Sequence, residues 1–246
     1  MIRVILNGAA GRMGKEVAAK LEADPMLSIA ARVDKTGADG CLPSLAGFTG
    51  EGDVIVDFSH HSATAELTEY AASRGIPLLI ATTGQTEEEK ETIRRASEKV
   101  AIFHSANMSL GVALLCELAK KAAAGMPDAD IEIVETHHNR KLDAPSGTAL
   151  MIAEALRKVR EKARFVIGRT GGRREKEDIG IASIRRGNIV GIHEVLISTD
   201  NETLTLKHEA HSRALFADGA VAAAKFLAGK AAGLYTMNDL VKGEEE

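Results

Sequence analysis

The sequence predicts an α/β protein in which a doubly wound parallel sheet precedes a second α+β domain with a mixed, largely antiparallel sheet. Short apolar strands alternate with helical segments through residues 1–108, which is typical of parallel sheets. A glycine-rich turn separates the first strand from the first helix. Beyond residue 178, three strand candidates follow one another across short turns, a pattern that favours an antiparallel or mixed sheet.

The first 108 residues predict five strands with helices between them. The strands are expected at residues 2–6 (IRVIL), 28–34, 53–59, 77–83 and 100–105. The helices are expected near residues 13–23, 63–73 and 86–99. Each strand is short and apolar, as strands buried on both faces are.

The pattern changes after Asn107. Helices are expected at residues 110–124 and 148–162, and strands at residues 131–138, 179–186, 188–200 and 202–210. An alanine-rich helix at residues 212–229 could pack on either domain, and the terminal KGEEE is expected to be a solvated tail.

Composition narrows the function classes. The chain has 246 residues, a net charge of −4 and 45% hydrophobic residues, so it predicts a globular protein without a nucleic-acid partner. It has no apolar stretch long enough to span a bilayer, and no leader is expected before the strand at residues 2–6. The two cysteines form no CxxC pair, so a cytoplasmic protein without a metal site is predicted. Residues 157–176 hold nine basic and two acidic side chains, which suits either an anion-binding loop or a solvated surface.

The turn NGAAGRMG (residues 7–14) predicts a Rossmann-like dinucleotide site. Its glycines, Gly8, Gly11 and Gly14, permit a tight turn and let a pyrophosphate approach the backbone amides at a helix start. Asp34 lies twenty residues past Gly14, at the end of the second strand, where a carboxylate binds the adenosine ribose. The alternative is an ordinary strand-to-helix turn with incidental glycines.

The identity of the dinucleotide stays open. Asp34 would repel a 2′-phosphate and favours NADH, whereas Lys35 and Arg12 could pair with that phosphate and favour NADPH. Two later loops, ATTG (residues 81–84) and SANMS (residues 105–109), follow predicted strands. They therefore lie at the edge of the sheet where ligands bind.

The segment ETHHNRKLDAPSGTAL (residues 135–150) combines groups that bind anions with groups that carry protons. A histidine can protonate the anion that hydride transfer leaves on a C=C or C=N bond. Lys141 can orient an anionic substrate, and Ser146, Gly147 and Thr148 fall where a helix begins, so their amides can bind a carboxylate. The alternatives are a metal site at the paired histidines or a surface loop. No HExxH spacing supports the metal site.

This segment resembles the signature of the dihydrodipicolinate reductase (4-hydroxy-tetrahydrodipicolinate reductase) family of the diaminopimelate–lysine pathway. The resemblance extends over nearly the whole chain, through NGAAGRMG, VDFS, ATTG, SANMS, RRGNIVGIHEV and HEAHSRALFADGAVAAAKFL. It implies reduction of a cyclic, unsaturated pyridine dicarboxylate precursor to tetrahydrodipicolinate by NADH or NADPH. It also implies domain closure over the substrate and a homotetramer built through the sheet of the second domain.

The resemblance implies a role for each matching position. His137 would donate the proton, and Lys141 would also be catalytic. The substrate contacts would be His138, Gly147, Thr148 and Arg213. The cofactor contacts would be Gly8, Ala9, Ala10, Gly11, Arg12, Met13, Asp34, Ala81, Thr82, Thr83, Ser105, Ala106, Asn107 and Met108, with Lys35 beside them. Since the last helix would return to the first domain, residues 1–108 and 212–246 would form the dinucleotide-binding domain, and residues 109–211 the substrate-binding and oligomerisation domain.

The sequence departs from the family pattern in the cofactor loops. It reads ATTG instead of GTTG, has no proline before Asn107, and carries Asp34 where glutamate is common.

Two other functions compete with the reductase. One is a related dehydrogenase acting on another amino-acid-derived acid such as aspartate. The other is a nucleotide-sensing regulator without turnover, which would need no proton donor beside an anion pocket.

Overall fold

The structure, a computed structural model, describes residues 1–243. The expected solvated tail therefore falls mostly outside the described residues, at positions 244–246. The chain divides into two compact units: unit 1 is Met1–Ser109 with the chain from Ala214 onward, and unit 2 is Leu110–Arg213. The functional roles assigned to the two domains stay a prediction.

The strands and helices follow one another in an α/β order. The strands are β1 (Ile2–Asn7), β2 (Leu27–Val33), β3 (Val54–Asp57), β4 (Leu78–Ile80), β5 (Ala101–His104), β6 (Asp130–His137), β7 (Arg164–Ile167), β8 (Asp178–Arg185), β9 (Gly191–Ser198), β10 (Thr203–Ala210) and β11 (Gly233–Tyr235). The helices are α1 (Arg12–Ala23), α2 (Thr64–Arg74), α3 (Glu87–Ser97), α4 (Leu110–Gly125), α5 (Gly147–Arg157), α6 (Ala214–Leu227) and α7 (Met237–Lys242). Three short 3-10 helices lie at Ala38–Gly40, Leu45–Gly47 and His61–Ala63.

Unit 1 contains the predicted doubly wound sheet. Its strands are all parallel and run in the order β11-β5-β4-β3-β1-β2. β2 lies on one side of β1, and the chain then crosses to β3 on the other side, so the winding reverses between β1 and β3. In such sheets ligands bind outside the carboxyl ends of the strands at this reversal. The edge strand β11 has only three residues, too few to be recognised by periodicity.

The helices of unit 1 pack against this sheet. α6 contacts α1 and the strands β3, β4 and β5, so the alanine-rich helix belongs to unit 1. The close approach depends on Gly219, where an added Cβ would lie 1.6 Å from the Met108 carbonyl oxygen. α3 begins with a capping box in which Thr86 and Glu89 bond each other's backbone amides, which fixes where this mostly polar helix starts.

Unit 2 contains the predicted mixed sheet, in the order β10-β9-β6-β8-β7. The mixed sheet is confirmed, with its four strand pairings divided evenly between antiparallel and parallel. β9 pairs antiparallel with β10 and β6, whereas β8 pairs parallel with β6 and β7. The parallel half arises because the chain from β6 passes through α5 and β7 before it reaches β8 in the direction of β6. β8 and β9 therefore form no hairpin, because β6 lies between them.

Helices α4 and α5 cover one face of the second sheet. Along β9 the residues alternate between buried and half-buried, with Val195 and Ile197 in the core beneath the helices. α5 ends at Arg157, earlier than the predicted residue 162, and the short strand β7 was not predicted. The opposite face of the sheet stays partly exposed, and Ile184 on that face is 43% exposed.

The basic segment at residues 157–176 is mostly paired within unit 2. Arg164 and Arg169 bind Asp178, Arg174 binds Glu132, and Lys176 binds Asp128. The solvated-surface interpretation therefore fits better than the anion-binding loop. Within residues 1–243, no helix combines the length and apolar character needed to cross a membrane. The cytoplasmic location stays a prediction.

Candidate active site

The glycine turn joins β1 to α1. Gly8 has φ +78°, and an added Cβ would lie 2.6 Å from the Phe58 carbonyl oxygen. A Cβ at Gly14 would lie 2.0 Å from the Gly8 carbonyl oxygen. Gly11 is the N-cap of α1 and provides no side-chain cap. The first amides of α1 are therefore not capped by a side chain, as an anion site at a helix start requires.

Asp34 lies beside the turn, as its position in the sequence predicts. Its Oδ2 accepts a hydrogen bond from the Ala10 amide at 3.2 Å, and its Oδ1 accepts bonds from the Thr36 hydroxyl at 2.7 Å and amide at 3.0 Å. The hydrogen bonds from Thr36, and then that from Ala10, lower the pKa of the Asp34 carboxyl. The carboxylate is therefore anionic and fixed next to the glycine turn.

A cavity of about 360 Å³ opens between the turn and the end of β3. It is lined by Gly8, Gly11, Asp34, Lys35, Phe58 and His60, among others. This volume lies within the range of small-molecule sites. The glycine cradle, the uncapped helix start and the fixed carboxylate fit the adenosine and pyrophosphate of a pyridine dinucleotide.

Asp57 connects the two later loops to this turn. It is 1% exposed and ends β3. Its Oδ1 accepts bonds from the Asn7 side chain at 2.8 Å and the Ser59 hydroxyl at 2.6 Å, and its Oδ2 accepts a bond from the Thr82 hydroxyl at 2.6 Å. One buried carboxylate thus holds the ends of β1 and β3 and the loop after β4.

The remaining predicted cofactor residues occupy the expected edge of the sheet. Ala81, Thr82 and Thr83 follow β4, and Ser105, Ala106, Asn107 and Met108 follow β5. The second loop is closed by its own polar groups, since the Ser105 hydroxyl donates to the Asn107 carbonyl at 2.8 Å. Met108 is buried, so its side chain belongs to the packing of unit 1. Its backbone, like that of the other loop residues, remains the group predicted to contact the cofactor.

In unit 2, His137 ends β6 beside a buried carboxylate. Glu135 precedes it by two residues on the same face of the strand, and its Oε2 lies 2.5 Å from His137 Nδ1. Glu135 is fully buried and the His137 side chain is 10% exposed. The imidazole therefore has one nitrogen fixed against a carboxylate within the fold.

Arg185, the last residue of β8, binds the same carboxylate. Its Nη1 and Nη2 each lie 2.8 Å from one Glu135 oxygen, a bidentate pair. The Ser146 amide donates to Glu135 Oε1 at 3.1 Å. Burial by itself would raise the pKa of the Glu135 carboxyl. The hydrogen bonds from Arg185, His137, Ser183 and the Ser146 amide outweigh burial and lower this pKa to about 2.

A second imidazole packs edge-on against His137. The ring of His193, on β9, lies 5.2 Å from that of His137 at an interplanar angle of 75°. Burial, and then the charge of His137, lower the pKa of His193 to about 4, so this ring is neutral. Its Nε2 lies 3.1 Å from the Ser146 hydroxyl. A Cβ added at Gly191 would lie 3.0 Å from His137 Nε2, so glycine keeps the approach to this nitrogen open.

The predicted substrate residues of unit 2 include a cluster of cations. Removal from water, and then the charges of Arg140 and Arg213, lower the pKa of His138. Lys141 is half-buried, and its Nζ lies 2.9 Å from Asp143 Oδ1. This hydrogen bond lowers the pKa of the Asp143 carboxyl. The Lys141 ammonium thus binds a carboxylate in the structure, and Arg140 and Arg213 are further cations of this cluster.

Gly147 and Thr148 begin α5, as the sequence predicts. Ser146 is the N-cap, and its hydroxyl accepts a bond from the Ala149 amide at 3.1 Å. A Cβ added at Gly147 would meet no atom within 4 Å. The start of this helix is therefore approachable by an anion.

Sequence reasoning missed Glu135, Arg185, His193, Gly191 and Asp57. Glu135 had a local signal, because residues two apart on a strand share a face. Arg185 is 50 residues from Glu135 along the chain, and only the parallel pairing of β6 with β8 brings them together. Within residues 1–243, no group of three or more His, Cys, Asp or Glu side chains could hold a metal ion.

A parallel sheet with a glycine turn and an acid ending its second strand, joined to a unit that presents histidine and lysine, defines a pyridine-nucleotide-dependent oxidoreductase. Two family profiles identify which one. Residues 2–108 match "Dihydrodipicolinate reductase, N-terminus" and residues 111–241 match "Dihydrodipicolinate reductase, C-terminus". The chain belongs to the dihydrodipicolinate reductase family.

Individual relatives agree with this assignment. The chain is 49% identical to a 4-hydroxy-tetrahydrodipicolinate reductase of Caldanaerobacter subterraneus subsp. tengcongensis, over 98% of this chain and 99% of the relative. It is 43% identical to one of Campylobacter jejuni, over 98% and 99%. In fold it is similar to a dipicolinate-bound dihydrodipicolinate reductase from Paenisporosarcina sp. TG-14, with a TM-score of 0.78, 24% identity and coverage of 96% of this chain and 97% of that one.

Proposed function

We propose that the protein reduces 4-hydroxy-tetrahydrodipicolinate to tetrahydrodipicolinate with NADH or NADPH, in the diaminopimelate–lysine pathway. The hydroxyl leaves as water together with a hydrogen from the adjacent ring carbon, and one hydride and one proton then add to the unsaturated ring. The bound dinucleotide supplies the hydride. The observation that carries the proposal is His137, held by a buried carboxylate next to a set of carboxylate-binding groups.

The proton comes from His137. Hydride transfer leaves negative charge on the ring, and an imidazolium can neutralise it near neutral pH. Glu135 occupies the Nδ1 side of the ring, so Nε2 is the nitrogen that gives up the proton. Gly191 leaves space beside that nitrogen.

The two carboxylates of the substrate are bound by cations and amides. Lys141, with its contact to Asp143 exchanged for a substrate carboxylate, binds one of them. The start of α5 at Gly147 and Thr148 binds the other. Arg213 adds positive charge nearby, and the neutral ring of His138, whose pKa is lowered, adds a hydrogen-bonding group. A dicarboxylate is therefore preferred to a monocarboxylate.

The cofactor preference is proposed to be dual. The anionic Asp34 binds the ribose hydroxyls of NADH and repels a 2′-phosphate. Lys35 lines the same cavity, and Arg12 begins α1, so both cations support NADPH. Titration of both reduced cofactors against wild type and Asp34→Ala tests this balance. The variant should weaken NADH binding while leaving NADPH binding unchanged or stronger, and a variant that weakens both equally would contradict it.

Cofactor oxidation tests the reaction. Substrate is generated in situ from pyruvate and aspartate semialdehyde by the preceding synthase, and loss of NAD(P)H absorbance is followed. His137→Gln and Lys141→Ala should each slow turnover by about 10²-fold or more, the usual scale for losing an acid–base group, with NAD(P)H affinity retained. Lys121→Ala, on α4 of the same unit, is the control. A wild-type protein that oxidises neither cofactor above background would refute the reductase function.

A homotetramer assembled through the second sheet is also proposed. Val134, Ile184, Ile192 and Leu196 alternate away from α4 and α5 on β6, β8 and β9, and none is fully buried. A second copy of this surface would cover these side chains. Ile184→Glu should lower the mass measured by light scattering, whereas Ile167→Glu, a more exposed position on β7, should not. An unchanged mass in Ile184→Glu would contradict assembly through this face.

A further inference from the structure

We infer that Glu135 and Arg185 form a positioning pair that fixes the protonation and orientation of His137, so that only Nε2 exchanges a proton with the substrate. The inference rests on the proposed function for the identity of the substrate. It adds two residues that contact neither the substrate nor the cofactor and act through His137.

The first step concerns the acceptors of Glu135. Its two oxygens accept two hydrogen bonds from Arg185, one from His137 Nδ1 and one from the Ser146 amide, and the Ser183 side chain adds another. An ionised carboxylate only accepts hydrogen bonds. Since Glu135 remains ionised, Nδ1 of His137 must carry hydrogen whether the ring is neutral or charged. Nε2 is then the only nitrogen that can change its protonation.

The second step concerns orientation. An isolated Glu135 side chain could rotate about its terminal bonds and release His137. Arg185 prevents this by holding both oxygens in one plane, and its Nη2 also donates to the Asp143 carbonyl at 2.6 Å. The guanidinium is therefore bound both to the strand that carries His137 and to the loop that carries Lys141. A planar fork of this kind cannot be reproduced by lysine.

The third step concerns the opposite side of the ring. His193 packs edge-on against His137 and restricts its rotation. Gly191 places no side chain beside Nε2, where an added Cβ would lie 3.0 Å away. The His137 ring is thus restrained at Nδ1 and along one edge, while Gly191 keeps the side of Nε2 open to the substrate. A supporting partner of this kind typically changes activity by about 10–100-fold when it is removed.

The experiment separates positioning from folding. Glu135→Gln keeps the shape of the side chain but replaces one acceptor oxygen with an NH2 group. Because Arg185 binds both oxygens, this NH2 group faces a guanidinium donor in either orientation. We expect kcat to fall about 10²-fold, with KM for the substrate and the Kd for NADH each changed less than about threefold. Arg185→Lys should lower kcat by about 10-fold.

The matched control is Asp178→Asn. Asp178 lies at the other end of β8, is 3% exposed, and is bound by Arg164 and Arg169. It is therefore a buried carboxylate–arginine cluster on the same strand, far from His137 along the sheet. Its loss should lower the unfolding midpoint while leaving kcat at the wild-type value.

The tautomer of His137 gives a readout that does not depend on turnover. ¹⁵N NMR of histidine-labelled protein distinguishes hydrogen on Nδ1 from hydrogen on Nε2, and the His137 signal is assigned from its loss in His137→Gln. We expect Nδ1–H in the neutral ring of wild type and a measurable Nε2–H population in Glu135→Gln. Should Glu135→Gln fail to fold, wild-type NMR and Arg185→Lys still decide the question.

The outcomes are distinct. Nε2–H as the neutral form in wild type, or wild-type kcat in either Glu135→Gln or Arg185→Lys, would overturn the positioning role. A fall in kcat as large in Asp178→Asn as in Glu135→Gln would overturn it too, because general destabilisation would explain both. If wild type oxidises neither cofactor, the proposed reaction fails, while the tautomer still supports or refutes the fixed orientation of His137.

Discussion

Replacement of Asp57 tests how the cofactor loops of unit 1 are held. Asp57→Ala removes the acceptor of the buried Asn7 amide and of the hydroxyls of Ser59 and Thr82. An unsatisfied buried donor costs about 1–3 kcal/mol, and a hydrogen bond to a charged acceptor contributes about 1.5–3 kcal/mol. With incomplete additivity, we expect the free energy of unfolding to fall by about 4 kcal/mol.

Asp57→Asn should be much milder. Its oxygen can still face Asn7 and Ser59, and its amide can donate to Thr82, since a hydroxyl also accepts. Only the charge is lost, which should cost about 1 kcal/mol. Asp53→Asn is the surface control, because Asp53 pairs with Arg3 where both side chains are partly exposed, and such pairs contribute at most about 1 kcal/mol.

The assay is urea unfolding at one protein concentration without cofactor, together with NADH titration. Asp57→Ala should also weaken NADH binding more than Asp57→Asn, because the Asn7 turn and the Thr82 loop lose their shared acceptor. If Asp57→Ala and Asp57→Asn were equally stable, the explanation by three shared hydrogen bonds would be wrong. If both bound NADH like wild type, the loops would not depend on this carboxylate.

Three further predictions concern single groups at the site. The pKa of His193 lies near 4 in the fold instead of 6.5, so the folded state binds fewer protons. The contribution of His193 to the free energy of unfolding is therefore fully present above pH 6.5, and up to about 3 kcal/mol of it is lost as the pH drops to 4. Urea unfolding of His193→Asn should show a smaller fall over the same pH range. Gly14→Ala places Cβ 2.0 Å from a backbone carbonyl and should raise the Kd for NADH at least about tenfold, whereas Gly125→Ala, with no atom within 4 Å, should not; equal Kd values would contradict the clash. Gly191→Ala places a methyl group 3.0 Å from His137 Nε2 and should lower kcat about tenfold with NADH binding unchanged. A wild-type kcat in steady-state kinetics would contradict this expectation.

The sequence predicted much of unit 1 because its signals are local. A glycine turn, an apolar strand before it and Asp34 at a fixed distance all lie within one strand-helix-strand segment. The parallel sheet then places every later loop at the same edge. What the sequence could not provide is Asp57 as a shared acceptor, since Asn7 is 50 residues away from it and only the adjacency of β1 and β3 joins them.

The second sheet was harder to predict because its pairing is not sequential. Three strands in succession favoured an antiparallel or mixed sheet but did not show that β6 separates β8 from β9. Alternating burial along β9 is visible in the sequence, but alternation does not specify a neighbour. The connection from β6 through α5 and β7 brings β8 back parallel to β6. The same connection places Arg185 beside Glu135, so the parallel half of the sheet and the missed positioning pair have one cause.

A buried Glu–Arg pair needs a reason other than stability. Removing two charges from water costs several kcal/mol per ion, and replacement of such pairs by apolar residues is often neutral or stabilising. Glu135 is fully buried, and both of its oxygens accept hydrogen bonds from Arg185. These bonds offset the cost of removing the charges from water and need not increase the free energy of unfolding. Its geometry does have a chemical consequence, because a carboxylate held on both oxygens can present only an acceptor to His137. An apolar replacement of the pair would therefore be expected to fold and to lose turnover, which separates the two explanations for why these charges lie in the core.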